Sequence, residues 1–476
     1  MNPNRSQDPI RVVFASAEFA PVVKVGGLGE AAAGLVAALR SAGVSVDVVL
    51  PDYDAQPLED EVQEPLSVPA WAGPAVARHG VAGSAGRVTL INVPGIQRPH
   101  PYVDTSTGEG WPDNDRRFFA FAAAVAELVA LDPPDVIHLN DWHTSAVSAF
   151  VDPAISTVLT IHNIAHQGHT NRGWLPNLGP RAAAFDHLGA VNPLAGGIRL
   201  ADAVVAVSAS YAREILQPAM SHGLAPLLAA KGDALLGIRN GIGRDEWNPM
   251  GDPHLAAPFS HSDLAGKREC RRDLLRTASL ESNGGPIIAM VARLDHQKGI
   301  DIALSLAGVL NSLPARLIVH GSGNPALARH ARQVAAEHPR SLAVIDGYSD
   351  DTAHKIMAGS DLALIPSRFE PCGLTQMQAM SYGTIPVVTD VGGLRDTVID
   401  LDRDRRCGTG FVAARPDATS VTSALCRAVG GWRNPDRRAR AQRRGMTADW
   451  SWTQPASQYI EVYQQKYTSS NLQRSV

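Results

Sequence analysis

Cations, glycines and acids gather in this chain where apolar runs end. The first cluster is Lys24-Val25-Gly26-Gly27-Leu28-Gly29. Glycines at such a turn let backbone N–H groups approach an anion. A helix starting there adds partial positive charge, and Lys24 adds a full one. The plainer alternative is a tight turn with a solvated lysine. The second cluster, Arg293-Leu294-Asp295-His296-Gln297-Lys298-Gly299, offers two cations five positions apart. Arg293 and Lys298 can neutralise a diphosphate leaving group, or be two surface cations on a polar loop. The third is Ser367-Arg368-Phe369-Glu370-Pro371-Cys372-Gly373-Leu374-Thr375-Gln376. Glu370 there can accept hydrogen bonds from sugar hydroxyls, or simply sit before a helix N-terminus as acids often do. The fourth, Asp390-Val391-Gly392-Gly393-Leu394-Arg395, has a second Gly-Gly turn. It reads as a backbone phosphate cradle or as a glycine-rich connection. Asp141-Trp142-His143 and His162-Asn163 end two further apolar runs and point to one wall of a carbohydrate site. Trp142 either packs against a sugar or fills space.

The elements that must position these residues are parallel strands. Arg11 to Ala17 is short, apolar and β-branched, as a buried parallel strand should be. A helix from about Glu30 to Ser41 and a strand from Val44 to Leu50 follow. That order opens a doubly wound α/β sheet. Similar strands recur at Val136–Leu139, Thr157–Ile161 and Ala203–Val207. Residues 52–112, rich in Pro and Gly, read as irregular surface excursions. Polar breaks at 251–262 and 282–286 precede a restart of the pattern. Strands are expected at Ile287–Val291, Arg316–His320, Leu342–Ile345, Leu362–Pro366 and Ile385–Thr389. Two Rossmann-like domains are expected, 1–255 and 256–449, with 450–476 packing back on the first. Every cluster named above then falls at the C-terminal end of a strand, where open α/β sheets bind ligands.

Bulk properties narrow the function classes. The 476 residues suffice for two domains, and 45% hydrophobic content suits a globular chain. With 43 basic and 47 acidic side chains the formal charge is -4, which argues against nucleic acid or a membrane surface as a general partner. Cys270, Cys372, Cys407 and Cys426 show no metal-ligand spacing and a poor disulfide framework, so a reducing compartment is expected. Met1 to Ile10 is polar without a signal-peptide core, and no apolar run reaches membrane length. A cytoplasmic location is expected. Neither domain start carries the dinucleotide glycine spacing with its partner acid, which disfavours a nicotinamide dehydrogenase.

Taken together, the motifs resemble the glycogen and starch synthase family of retaining glycosyltransferases, over nearly the whole chain. The resemblance rests on elements in family order. They are Lys24 with Gly26-Gly27-Leu28, Trp111-Pro112-Asp113-Asn114 with Arg117-Phe118, and Asp141-Trp142-His143. Then come Thr160-Ile161-His162-Asn163 with Gln167-Gly168, and Val207-Ser208 with Tyr211-Ala212-Arg213-Glu214-Ile215. Asn240-Gly241-Ile242 with Trp247-Asn248-Pro249, the Arg293 and Lys298 loop, Glu370-Pro371-Cys372-Gly373-Leu374 and Gly392-Gly393-Leu394 complete them. Trp450-Ser451-Trp452, Tyr459 and Tyr463 look like the family's closing helices.

The resemblance implies the GT-B fold, two Rossmann-like domains facing a central cleft. It implies a nucleoside-diphosphate-sugar donor (ADP-, UDP- or GDP-linked), retention at the anomeric carbon, and no required metal or other cofactor. By position, Arg293 and Lys298 would grip the diphosphate. Gly392 and Gly393 would cradle it, and Lys24, Gly26 and Gly27 would approach on closure. Asp141 and His162 would line the reacting sugar, Asn240 would bond the donor sugar, and Glu370 would sit at its far edge. Cys372, Gly373, Leu374 and Thr375 complete the expected donor loop. Trp142, His143 and Asn163 join Asp141 on the acceptor side.

Four positions depart from the family pattern. Glu30 stands where Asp is usual, Ala195 where a lysine precedes Gly-Gly, Gly243 where Asp is usual, and Asp390 near a common basic position. Transfer of glucose to an α-glucan is the leading expectation. One alternative is a relative coupling a small oligosaccharide or a cyclitol in an acarbose-type pathway. Another is a silent glycan-binding paralogue, against which Lys24, Arg293, Lys298 and Glu370 argue. Donor base, acceptor length and oligomeric state are left open by the sequence.

Overall fold

A computed structural model describes residues 9–474. Residues 1–8, most of the polar N-terminal stretch read above, and the last two residues lie outside the described ones. The chain forms two compact units, residues 1–241 with 452–476, and residues 242–451.

The first unit is built on nine strands. They are β1 (Arg11–Ala15), β2 (Ser45–Pro51), β3 (Glu59–Leu66), β4 (Ala75–Val81), β5 (Arg87–Asn92), β6 (Val136–Asn140) and β7 (Ser156–Ile161), then β10 (Ala203–Ala206) and β11 (Leu235–Gly237). A small hairpin, β8 (Asp186–His187) and β9 (Ala190–Val191), stands apart from the sheet. The strand order is β11-β10-β7-β6-β1-β2-β5-β4-β3. The first strand is central and the chain winds outward on both sides, as doubly wound sheets do. Phe14 pairs Val48 on one neighbour and His138 on the other. Val12, Phe14 and Ala15 are fully buried, which is why these strands read as unbroken apolar runs.

Residues 52–112 are not merely irregular. Three strands form there and extend the sheet, with β4 antiparallel to both β5 and β3. Alternation is masked because β3, Glu-Asp-Glu-Val-Gln-Glu-Pro-Leu, is an exposed edge carrying acids and a proline, which edge strands tolerate.

The second unit holds β12 (Ile287–Val291), β13 (Arg316–Gly321), β14 (Leu342–Asp346), β15 (Leu362–Ile365), β16 (Ile385–Thr389) and β17 (Phe411–Ala413). All are parallel, in the order β14-β13-β12-β15-β16-β17. This is the Rossmann order 3-2-1-4-5-6. Ile288, Leu317, Leu362, Val387 and Phe411 form its core with Leu425 from the helix over it.

The segment 242–255, assigned above to the first domain, clusters with the second unit. Trp247 stacks on His354 at 4.1 Å, and His354 Nδ1 meets the buried Asp252 carboxylate at 2.7 Å. The closing helix, Thr453–Arg474, returns to the first unit. Its Tyr463 hydroxyl meets His138 Nδ1 at 2.7 Å, and its Tyr459 hydroxyl meets Thr160 Oγ1 at 3.1 Å. Trp452 fills the face of Gly34, where a Cβ would fall 2.1 Å from the indole nitrogen.

Candidate active site

In the first unit, the turn after β1 leads into the helix Gly27–Ser41. The residue that shapes this turn is Glu18, which was not singled out from the sequence. Its buried Oε2 accepts the Val25 N–H at 2.7 Å and the Gly26 N–H at 2.8 Å, while Tyr102 donates to Oε1 at 2.8 Å. Two amides expected to greet an anion are therefore already taken. Gly29 packs where a Cβ would lie 3.1 Å from the Val23 carbonyl. Lys24 Nζ is paired with Glu30 Oε1 at 2.7 Å. The only sequence sign of Glu18 was an acid just past the first strand, a position shared by many residues without function.

At the end of β6, Asp141 has a positive φ of 56°, a conformation Asp tolerates better than most residues. Its carboxylate accepts the N–H groups of His162 at 2.7 Å and Asn163 at 3.3 Å, tying the ends of β6 and β7 together. Burial pushes the Asp141 carboxyl up to about 7 against the pull of those two donors. His162 Nε2 meets Asn140 Oδ1 at 3.0 Å, and Asn140 Nδ2 donates to the Ala15 carbonyl at 3.0 Å. That chain orients Asn140 so that His162 carries its proton on Nε2. Burial lowers His162 to about 3, so it is neutral at pH 7.

Trp142 and His143 lie in an aromatic packing cluster. Their rings stand 4.1 Å apart, Phe118 meets both edge-on, and Tyr102 lies 4.8 Å from His143. Gly168 leaves room for the Trp142 ring, which a Cβ would meet at 2.1 Å. His143 Nδ1 is buried with no partner among the described residues. Arg117 of the Asn114-to-Phe118 motif is fully buried and donates to the carbonyls of Ile96 and Pro101, folding the loop that carries Tyr102. Asn240, 5% exposed, stands one residue before the end of the first unit's main run. Ala195 is fully buried, its N–H capped by Asn192 Oδ1 at 2.9 Å.

In the second unit, the loops after β12, β15 and β16 are joined. Lys298 Nζ meets Glu370 Oε2 at 2.6 Å, and Ser367 Oγ donates to the same oxygen at 2.9 Å. Arg368 grips Asp301 with both nitrogens, at 2.8 and 2.7 Å, and its N–H reaches the Gln297 carbonyl at 2.8 Å. Gly299, with φ of 71°, admits the Pro366 carbonyl, which a Cβ would meet at 2.2 Å. Arg293, more exposed, pairs with Asp295 at 2.7 Å.

The Gly392-Gly393 turn opens the helix Gly392–Thr397. Gly393 donates to the Glu370 carbonyl at 3.0 Å, and a Cβ on it would lie 2.0 Å from the Cys372 carbonyl. The N–H groups of Leu394 and Arg395 turn back to Val391. These glycines thus hold the Glu370 loop close. Gln376 Nε2 ties the carbonyls of Cys372 and Gly373 to Thr397 Oγ1. Thr375 opens the helix Thr375–Ser381 just beyond Leu374. Asp390 pairs with Arg395 at 2.8 Å. Tyr348, also missed from the sequence, is half exposed past β14 and stacks on buried His320, centroids 5.8 Å apart.

Comparisons with known proteins bear on the family and the fold of the whole chain. Residues 11–230 match the starch synthase catalytic domain and residues 271–445 the group 1 glycosyl transferases. The chain is 38% identical to a glycogen synthase of Dechloromonas aromatica, over 95% of this chain and 98% of that one. It is 37% identical to a glycogen synthase of Halorhodospira halophila, over 97% and 100%. The catalytic domain of starch synthase IV from Arabidopsis thaliana, solved with ADP and acarbose, superposes with a TM-score of 0.87 at 31% identity, covering 97% of this chain and all of that one. No described helix is long and apolar enough to cross a membrane. A GT-B chain of this extent and these matches belongs to the glycogen and starch synthase family of glycosyltransferases.

Proposed function

We propose that the chain elongates an α-1,4-glucan by transferring glucose, with retention, from ADP-glucose to the 4-hydroxyl of a maltooligosaccharide or glycogen chain. The bond from the anomeric carbon to the diphosphate oxygen breaks. A bond from that carbon to the acceptor oxygen forms, and the hydroxyl proton leaves on the departing diphosphate. Lys298 and Arg293 stabilise the charge gathering on the diphosphate. Glu370, held by Ser367, aligns Lys298 and accepts from a donor-sugar hydroxyl. Cys372, Gly373, Leu374 and Thr375 form the donor loop that Gly392 and Gly393 hold in place, and Tyr348 offers a ring for the base to stack on. In the first unit, Lys24 with Gly26 and Gly27 offers a cation to a phosphate, and Asn240 offers hydrogen bonds to a donor sugar. Asp141 fixes the backbone of His162 and Asn163, whose side chains line the reacting and accepting sugars with Trp142 and His143 behind them. Adenine is the favoured base because the similar starch synthase IV was solved with ADP.

The observation that carries this reading is the Lys298–Glu370–Ser367 cluster at adjacent strand ends, within a chain that keeps the family's motifs in order. Product analysis tests it. Purified protein with maltoheptaose should lengthen the chain by single glucose units from ADP-glucose, and more slowly from UDP- or GDP-glucose. Turnover of none of them would defeat the proposal. Products formed only from a cyclitol donor or an amino-sugar acceptor would favour the specialised alternative.

A further inference from the structure

The loop that carries Tyr348 is held by a buried histidine. His320 is the penultimate residue of β13. Its Nδ1 meets the Ile345 carbonyl at 3.0 Å, and since a carbonyl only accepts, Nδ1 carries the ring proton. Nε2 is then an acceptor, and the Ser349 N–H lies 3.4 Å from it. These two bonds grip the chain on either side of Tyr348. Between them the Tyr348 ring lies over the imidazole, planes 17° apart, and stays 49% exposed. Residues 346–349 are otherwise exposed. Gly347, with φ of 81°, meets no packing of its own and is joined by a lone bridge to Gly321. A buried imidazole is costly unless its nitrogens are satisfied, so His320 favours one placement of this loop.

The same stretch of chain sets the Arg293 loop. The Ala292 N–H donates to the His320 carbonyl at 3.1 Å, and the Leu294 N–H to the Ser322 carbonyl at 2.8 Å. The Asn324 N–H returns to the Leu294 carbonyl at 2.8 Å. Gly321 lies so close that a Cβ would fall 1.9 Å from the Ala292 carbonyl. Residues 320–324 therefore anchor both the ring of Tyr348 and the loop of Arg293.

We propose that His320 is a positioning residue for the donor base. It acts through Tyr348, whose ring it holds in a fixed place relative to the Arg293 loop. This rests on the reading that a base stacks on Tyr348, and it adds the residue that presets the ring. A preset ring loses less freedom on binding, and a purine covers more of it than a pyrimidine does. His320 thereby sharpens the preference for an ADP-linked donor.

Calorimetric titration of the full chain with ADP, UDP and pyrophosphate, beside steady-state kinetics, tests this. Tyr348→Ala should weaken ADP about tenfold, as loss of one aromatic platform does, and leave pyrophosphate binding unchanged. His320→Leu keeps bulk but neither hydrogen bond. It should weaken ADP about fivefold and UDP less, and raise the donor KM in step, with kcat, acceptor KM and pyrophosphate binding unchanged. His320→Asn keeps a donor for the Ile345 carbonyl and should fall between wild type and His320→Leu; it gives the same test if His320→Leu folds poorly. In the Tyr348→Ala background neither His320 change should cost anything further, because residues acting as one unit are not additive. A further loss of ADP in that background, an equal loss of pyrophosphate, or ADP affinity unchanged in both His320 variants would overturn the inference and leave the stacking reading standing. ADP affinity unchanged in Tyr348→Ala would instead remove the stacking reading, and this inference with it.

Discussion

Lys298 Nζ and Glu370 Oε2 stand 2.6 Å apart, and Ser367 shares the same oxygen. The same pattern recurs at Lys24 with Glu30, Arg293 with Asp295, and Arg395 with Asp390. Every cation read from the sequence as a phosphate ligand has an acid beside it. On the function proposed above, a diphosphate would have to compete with a carboxylate at each of these cations.

Lys298→Met should lower kcat/KM for the donor by about 10²–10³-fold, the scale of losing one charge-stabilising donor in a transition state. Its melting temperature should also fall, because Glu370 is buried and loses its cation, keeping Ser367 as a donor. Steady-state kinetics with a thermal melt check both. A variant that keeps full activity would remove Lys298 from the machinery.

Glu18→Ala should act on both stability and turnover. Three hydrogen bonds to a buried carboxylate are lost, each worth about 1.5–3 kcal/mol when the acceptor is charged, and the turn carrying Lys24 is released. Urea unfolding should show a loss of several kcal/mol, and donor turnover should fall at least tenfold. Loss of stability with turnover intact would mean the turn's shape does not matter to transfer.

Gly393→Ala places a methyl group 2.0 Å from the Cys372 carbonyl, a backbone atom that cannot swing aside. Overpacking of this kind costs about 1–3 kcal/mol. Because Gly393 also donates to the Glu370 carbonyl, the donor KM should rise more than the acceptor KM. Equal effects on both substrates would count against the turn's role in holding the donor loop.

His138 links the closing helix to the first sheet through Tyr463 and Thr160, at 2.7 Å each. Burial lowers its folded value to about 3 from an ordinary 6.5. The folded state therefore binds this proton more weakly than the unfolded chain. Its contribution is fully present above about pH 6.5 and is lost as pH falls from there toward 3. His138→Gln should be less stable at pH 7.5, and the gap to the wild type should narrow by pH 5. Urea unfolding at the two values checks it, and a gap that widens in acid would reverse the sign.

The strands that carry the site were legible because they are parallel and buried on both faces. Arg11–Ala15, Ile287–Val291 and Ile385–Thr389 read as unbroken apolar runs and form strands at those positions. Between residues 59 and 92, β3 escaped notice because it is an exposed, acidic edge with a proline, and β4 because it is half exposed and broken by Gly80. Residues 242–255 were misplaced for another reason: the Trp247–His354 stack joins residues 107 positions apart, and periodicity carries no such information.

The sequence by itself determined which residue types stand at the strand ends and in what order, because glycines, cations and buried apolar runs announce themselves locally. Only the tertiary structure decided how they are used. Glu18 consumes the amides of Val25 and Gly26, Gly393 serves close packing, and each cation is already paired. A hydrogen bond or a close approach depends on two distant segments meeting within a few ångströms, and no window of a linear sequence contains both.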